Sequence, residues 1–165
     1  MKILVTGFTG QLGYDVVKYG EQCGLEMIGV GSEDFDITNK EDVFYYVKKY
    51  QPDSIIHCAA YTAVDMAEDD KETCWKVNVE GTQNLVEVAK EIDAKFMYIS
   101  TDYVFNGQGE NPYKETDEPK PIGYYGFTKL KGEEVVKEHL EKWFVIRISW
   151  VFGINGNNFV KTMLR

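Results

Sequence analysis

Two residues four apart, Tyr125 and Lys129, are of the types needed to move a proton beside a carbonyl group. On a helix that spacing puts both side chains on one face. An ammonium beside a phenol favours the phenolate and lowers the tyrosine pKa. Such a phenol gives a proton to an oxygen as hydride arrives at carbon, or takes one in the reverse direction. With 11 tyrosines in the chain the spacing alone is weak evidence, but the neighbouring Tyr124 has no lysine four residues on.

The second feature is a glycine loop, Thr6-Gly7-Phe8-Thr9-Gly10-Gln11-Leu12-Gly13, directly after the apolar run Ile3-Leu4-Val5. Gly7 permits a tight turn, Gly10 lets the backbone approach a pyrophosphate, and Gly13 lets a following helix pack on the strand. Free N–H groups at that helix end then face the phosphates. The spacing is G-x-x-G-x-x-G, and glycines also mark ordinary turns. Its place between a strand and a helix is what carries the reading. A held dinucleotide beside an acid and a cation implies hydride transfer onto or off a carbon–oxygen bond.

Other candidates stand where strands should end. Ser100-Thr101-Asp102-Tyr103-Val104-Phe105 follows an apolar run, and the carboxyl end of a parallel strand places its hydroxyls over a ligand crevice. Thr101 is the candidate to hydrogen-bond a reacting oxygen. Ala59-Ala60 follows another run and is small enough for a cofactor to lie close, or simply for tight packing. Asn78 falls in a helical stretch, where it caps a broken turn or holds a water. His57, inside an apolar run, reads as a satisfied core histidine, and His139 as solvated. No His, Cys or Asp cluster has metal-ligand spacing, and Glu68-Asp69-Asp70 reads as a solvated helix face.

The elements that must position these residues alternate between strand and helix, predicting an α/β fold with a doubly wound parallel sheet. Strands are expected at 2–6, Leu25–Val30, Ser54–Cys58, Phe96–Ser100 and Trp143–Ser149. Helices are expected at 11–23, from a Thr38-x-x-Glu41 capping box to about Tyr50, from Lys71 to Ile92, and over Thr128–Leu140. Pro52 is expected to end the second of these helices. Only four residues separate Val30 from Phe35-Asp36-Ile37, too few for a parallel crossover, so 35–37 is a loop or a displaced short strand. The stretch Asn106–Gly123, with Pro112, Pro119 and Pro121, reads as a long functional loop walling an active site.

At 165 residues the chain is one domain by length, 1–165. A net charge of −9 argues against binding the phosphate backbone of nucleic acid. Cys23, Cys58 and Cys74 are odd in number and not in a C-x-x-C pair, which fits reduced thiols in the cytoplasm. Only three apolar residues lie between Lys2 and Thr6, so no signal peptide is expected, and no stretch has the length of a membrane span.

Together these segments resemble the extended short-chain dehydrogenase/reductase superfamily, and within it the dTDP-4-dehydrorhamnose reductase family. The strings that carry the resemblance run in order through the chain. They are Val5 to Gly13, Asp36-Ile37-Thr38, Ala59 to Asp65, Val77-Asn78-Val79, Ser100 to Phe105, Tyr125 to Leu130, Arg147 to Gly153, and Asn158 to Leu164. The resemblance implies a Rossmann-like domain binding NADPH or NADH, with Thr101, Tyr125 and Lys129 as the catalytic trio. Gly7, Gly10, Gln11, Leu12, Gly13, Asp36, Ile37, Ala59, Ala60, Tyr61, Asn78, Tyr125 and Lys129 would line the cofactor site, Lys129 on the nicotinamide ribose. Asp102, Tyr103 and Trp150 would contact a dTDP-sugar, whose C4 keto group would be reduced to give dTDP-L-rhamnose. Family members carry about a hundred further residues, a domain's worth, so a substrate-capping domain is expected after Arg165 and the chain stops in mid-helix without it. A regulatory relative resembling the beta subunit of methionine adenosyltransferase, or a nucleotide-sugar epimerase or dehydratase, are the alternative readings. Residues 30–39 hold no Lys or Arg, which leans toward NADH being accepted. The oligomeric state stays open, a homodimer included.

Overall fold

The computed structural model describes residues 1–109 and 111–164. Five strands form one sheet: β1 (Lys2–Thr6), β2 (Glu26–Val30), β3 (Ser54–His57), β4 (Lys95–Thr101) and β5 (Trp143–Ile148). All neighbours pair in parallel, in the order β2-β1-β3-β4-β5. Parallel strands need covering on both faces, and β1 shows it. Ile3 and Val5 pack with Val17 under α1 (Gln11–Gln22) on one face. Leu4 points to the other, where it joins Val43, Val47, Ile55, Leu85, Val86 and Phe96. That second layer is built from α2 (Lys40–Tyr50), α4 (Gly81–Glu91) and α5 (Tyr124–His139). This is the expected doubly wound architecture.

From β1 the chain first crosses to β2 on one side and then to β3 on the other. The reversal between β1 and β3 opens a crevice at the carboxyl ends of the strands, the place where such sheets take ligands. Residues 35–37 are loop, so β2 leads to α2 and back to β3 with no intervening strand.

Apart from one-residue shifts at element ends, four local expectations differ from the structure. The cap of α2 is Asn39, which accepts from the Glu41 and Asp42 N–H groups, while Thr38 is held by the Asp36 carboxylate at 2.8 and 2.9 Å. The left-handed Gln51 ends α2 ahead of Pro52. The expected helix from Lys71 to Ile92 is interrupted: α3 (Lys71–Trp75) runs into a π-helical turn, Lys76–Glu80, before α4. α5 begins at Tyr124, four residues earlier than expected, so Tyr125 and Lys129 both lie inside it. The described part of 106–123 is irregular, without helix or strand. Beyond β5, α6 covers Phe159–Met163; the expected mid-helix end at Arg165 lies outside the described residues. Among the described residues no helix is long and apolar enough to cross a membrane.

Candidate active site

The crevice is a cleft of about 640 Å³ reaching from the glycine loop to Trp150. Its floor follows from the glycines. Gly7 has φ +71, and a Cβ there would stand 2.7 Å from the Ala59 nitrogen, so β1 and β3 can leave the sheet side by side only with glycine at this point. A Cβ at Gly13 would meet the Gly7 oxygen at 2.3 Å, which is why α1 packs so closely on β1. Gly10 is the N-cap of α1 and supplies no side-chain cap. The first-turn amides therefore keep their donor capacity and the partial positive charge of a helix start. Gln11 donates Nε2 to the Val151 carbonyl at 2.9 Å, and its buried Oε1 has no protein partner. An uncapped helix start, a side-chain-free Gly10 and an unclaimed acceptor fit a dinucleotide: the amides suit its pyrophosphate, and the Gln11 oxygen suits a ribose hydroxyl.

The wall after β2 is formed by Gly31, Ser32, Phe35, Asp36 and Ile37. Asp34 braces it by accepting from the Gly31 N–H at 2.7 Å. The wall after β3 is formed by Cys58, Ala59, Ala60, Thr62 and Val64. Beneath it His57 is buried, with Nδ1 2.7 Å from the Thr6 hydroxyl and Nε2 3.1 Å from the Thr82 hydroxyl. Burial, helped by the charge of Lys129, pushes this imidazole down to about 3, so it stays neutral and structural.

The far end carries the titratable groups. Thr101 ends β4 in an extended conformation; its hydroxyl accepts from the Tyr103 N–H at 3.2 Å and donates to Asp102 Oδ1 at 3.1 Å. The other Asp102 oxygen accepts from Ser149 at 2.6 Å. The Tyr125 ring stands edge-on to Tyr103, centroids 5.7 Å apart. Lys129 is buried with Nζ 4.2 Å above the Tyr98 ring centroid. The expectation that Lys129 would hold the Tyr125 phenol below its ordinary value is not met. Burial dominates and pushes the phenol up to about 12, although the Thr101 hydroxyl pulls the other way. Burial likewise brings Lys129 down to about 7, opposed by Cys58, Glu133 and Cys74. Near neutral pH the cleft thus holds an uncharged Tyr125 phenol and, elsewhere in its lining, a Lys129 amine close to its midpoint.

One turn beyond Lys129 lies Glu133, fully buried. Its carboxylate accepts from Ser100 Oγ at 2.6 Å, from Arg147 Nε and NH2 at 2.8 and 2.7 Å, and from Lys137 Nζ at 3.0 Å. Burial disfavours the charge, but the bonds from Arg147, Ser100 and Lys137 outweigh it and hold the carboxyl low. This latch ties α5, which carries Tyr125 and Lys129, to β4, which carries Thr101, and to β5.

At the mouth Trp150 takes a left-handed φ of +51 and stays exposed, edge-on to Phe159. The segment after it folds back on the glycine loop, where Asn155 Nδ2 donates to the Thr9 and Gly10 carbonyls at 3.2 and 3.1 Å.

The cleft thus gathers Gly7, Gly10, Gln11, Leu12 and Gly13 with Asp36, Ile37, Ala59 and Ala60. Thr101, Asp102, Tyr103, Tyr125, Lys129 and Trp150 line its other end. Two of the expected cofactor residues are not among those lining it. Tyr61 packs against Ala67, Cys74 and Tyr125, and Asn78 is buried in the π-helical turn. Asn78 instead accepts from the Tyr61 N–H at 2.8 Å and donates to the Tyr61 carbonyl at 3.2 Å and the Thr128 hydroxyl at 3.0 Å, pinning the β3 exit to α5. Sequence reasoning missed Gly31, Ser32 and Ser149, which follow directly from strand ends and were legible by that rule alone. It also missed Asn157, for which no local signal exists. Among the described residues no three His, Cys, Asp or Glu side chains gather in a metal-binding cluster, and Cys23, Cys58 and Cys74 are all unpaired.

A parallel sheet with helices on both faces, a glycine-rich helix start at the switch point and a tyrosine–lysine pair at the same cleft define a Rossmann-like, dinucleotide-binding protein of the extended short-chain dehydrogenase/reductase type. More narrowly, the chain belongs to the RmlD substrate binding domain family, whose model matches residues 1–165. It is 42% identical over 165 residues to a dTDP-4-dehydrorhamnose reductase of Aggregatibacter actinomycetemcomitans, covering 99% of this chain and 56% of that protein. The crystal structure of a dTDP-4-dehydrorhamnose reductase from Clostridium acetobutylicum superimposes with a TM-score of 0.96 at 43% identity, over 99% of this chain and 58% of that one. The Bacillus anthracis reductase, solved in complex with NADP, gives 0.95 at 41%, over 99% and 59%. The chain therefore spans little more than half the length of the relatives it matches.

Proposed function

We propose that residues 1–165 are the dinucleotide-binding, catalytic part of a cytoplasmic NAD(P)H-dependent reductase. Its reaction would turn the C4 keto group of dTDP-4-dehydro-L-rhamnose into the alcohol of dTDP-L-rhamnose. In the relatives' longer chains, the remaining length would supply a domain that closes over the sugar nucleotide. The observation that carries this reading is the meeting of Thr101, Tyr125 and Lys129 with the glycine loop in one cleft.

The bound nicotinamide would supply the hydride. The amides of Gln11, Leu12 and Gly13 would hold the pyrophosphate, with Ala59 and Ala60 leaving room beside it. Tyr125, a neutral phenol at neutral pH, is in the form that donates a proton to the carbonyl oxygen. The ammonium form of Lys129 would stabilise the phenolate left behind and hold the nicotinamide ribose. Thr101, its hydroxyl already oriented by Asp102, would fix the position of the oxygen. Asp102, Tyr103 and Trp150, at the same end of the cleft, would face the sugar nucleotide.

The test is NADH and NADPH oxidation at 340 nm by the full-length chain with dTDP-4-dehydro-L-rhamnose. Stoichiometric consumption supports the reading. Tight dinucleotide binding with no turnover on any nucleotide-sugar ketone would point to a regulatory protein, and turnover with retained cofactor to an epimerase.

A further inference from the structure

The helix that carries Tyr125 and Lys129 begins without a cap of its own. Its N-cap is Gly123, which has no side chain to offer. The Tyr124 N–H is instead taken at 2.6 Å by Oε1 of Glu68, 56 residues earlier in the chain. A Cβ at Gly123 would stand 3.2 Å from that same oxygen, so the glycine leaves the carboxylate its place. Glu68 closes the short 3-10 turn Met66–Glu68, and its neighbour Ala67 is buried in one cluster with Tyr125 and Cys74, against Tyr61, Val64 and Tyr124. The sequence had assigned Glu68 to a solvated face; its neighbour Asp70 likewise has a capping role, on the first turn of α3.

A helix start leaves donors unpaired and carries partial positive charge, so a carboxylate there both satisfies an N–H and gains from the dipole. In most helices that carboxylate is local and holds only its own helix. Here it belongs to the segment that has just formed the Ala59–Val64 wall of the cleft. We infer that Glu68 is a positioning residue: it pins the first turn of α5 to the wall after β3 and so fixes where the Tyr125 phenol stands. The inference rests on the reductase reading.

Three measurements on the full-length chain test it, comparing wild type, Glu68→Ala, Glu68→Gln and the exposed control Asp69→Asn. They are kcat and KM with dTDP-4-dehydro-L-rhamnose, the Kd for NADPH by fluorescence, and amide hydrogen exchange over Tyr124–Phe127. Glu68→Ala should lower kcat about tenfold, the scale on which losing a cap depopulates a formed first turn, while the Kd stays within about twofold. Exchange at Tyr124 should quicken in the same variant. Glu68→Gln keeps an oxygen acceptor and should recover most of kcat and of the protection, and Asp69→Asn should match wild type. Unchanged kcat and exchange in Glu68→Ala overturn the inference. So does a parallel fall of kcat and NADPH affinity in both Glu68 variants, which would mean general damage to the cleft. A wild-type chain that binds NADPH but turns nothing over overturns the reductase reading instead. Tyr124 exchange then still decides whether the cap exists.

Discussion

Replacing Arg147 by methionine takes away two of the four hydrogen bonds on a carboxylate that has no contact with water. Breaking a buried ion pair from one side costs about 3–5 kcal/mol, because the partner charge is left uncompensated. Ser100 and the half-exposed Lys137 remain on Glu133, which puts the cost at the lower end, about 3 kcal/mol. The guanidinium also sits 4.9 Å from the Phe105 ring centroid, a stacking contact worth about 0.5–1 kcal/mol. A chain of this length should lose about 6–12 °C in Tm for a change of about 3 kcal/mol. Urea unfolding followed by circular dichroism at pH 7 measures the loss. The double variant Glu133→Leu/Arg147→Met removes both charges and should recover to within about 1 kcal/mol of wild type, leaving the buried Ser100 hydroxyl unpaired and the half-exposed Lys137 to solvent. The pH dependence has a definite sign. The folded carboxyl is held low, so its stabilisation is present above the unfolded glutamate value, near 4.3, and is lost as pH falls through the folded value. A single-variant loss below about 1 kcal/mol, or a double variant worse than the single, would show that Glu133 is not the latch between α5, β4 and β5.

Three further outcomes are expected. Gly10→Val should weaken NAD(P)H binding by about tenfold or more, about 1.4 kcal/mol, by filling the space over the helix start; unchanged affinity in a fluorescence titration refutes that placement. NADPH should be preferred over NADH by less than about a hundredfold, 2.8 kcal/mol, since the wall after β2 holds Asp34 and Asp36 and residues 30–39 include no cation; a larger ratio of dissociation constants contradicts it. Lys129→Met should stabilise the ligand-free protein at pH 6. Lys129 is brought down from 10.5 to about 7 by burial, so the folded state carries its cost in full below about pH 7 and sheds it as pH rises toward 10.5. The gain in Tm should therefore shrink by pH 10, and a gain that grows with pH refutes the assignment.

Much of this arrangement was legible in the residues. Continuous apolar runs marked the strands, and strand-end reasoning placed Ala59, Ala60 and Thr101 on the cleft. What stayed hidden depended on three-dimensional partners. Gly126, in the first turn of α5, is required by close packing, since a Cβ there would come 2.2 Å from the Tyr103 carbonyl, a contact that nothing local in the sequence signals. Asn78 is expected from the sequence to cap a broken turn or hold a water, and by resemblance to line the cofactor site; the π-helical turn aims its amide at Tyr61 and Thr128. Glu133 sits in the charged run Lys131-Gly132-Glu133-Glu134, which resembles a solvated face until Arg147 and Ser100 arrive from two strands. Tyr125 and Lys129 do share one helix and one cleft, but the phenol is governed by its own burial, opposed by the Thr101 hydroxyl and not by the amine.

The most direct test of the central claim is the kcat of Tyr125→Phe beside Tyr124→Phe in the full-length chain, with saturating NADPH and dTDP-4-dehydro-L-rhamnose. Tyr125→Phe removes only the donating hydroxyl. It should cost about 10²–10⁴ in kcat, the usual worth of a general acid, with NADPH still bound. Tyr124→Phe, whose backbone N–H alone is engaged by Glu68, should stay close to wild type. A Tyr125→Phe enzyme that turns over normally, or a Tyr124→Phe enzyme that is the inactive one, would contradict the account.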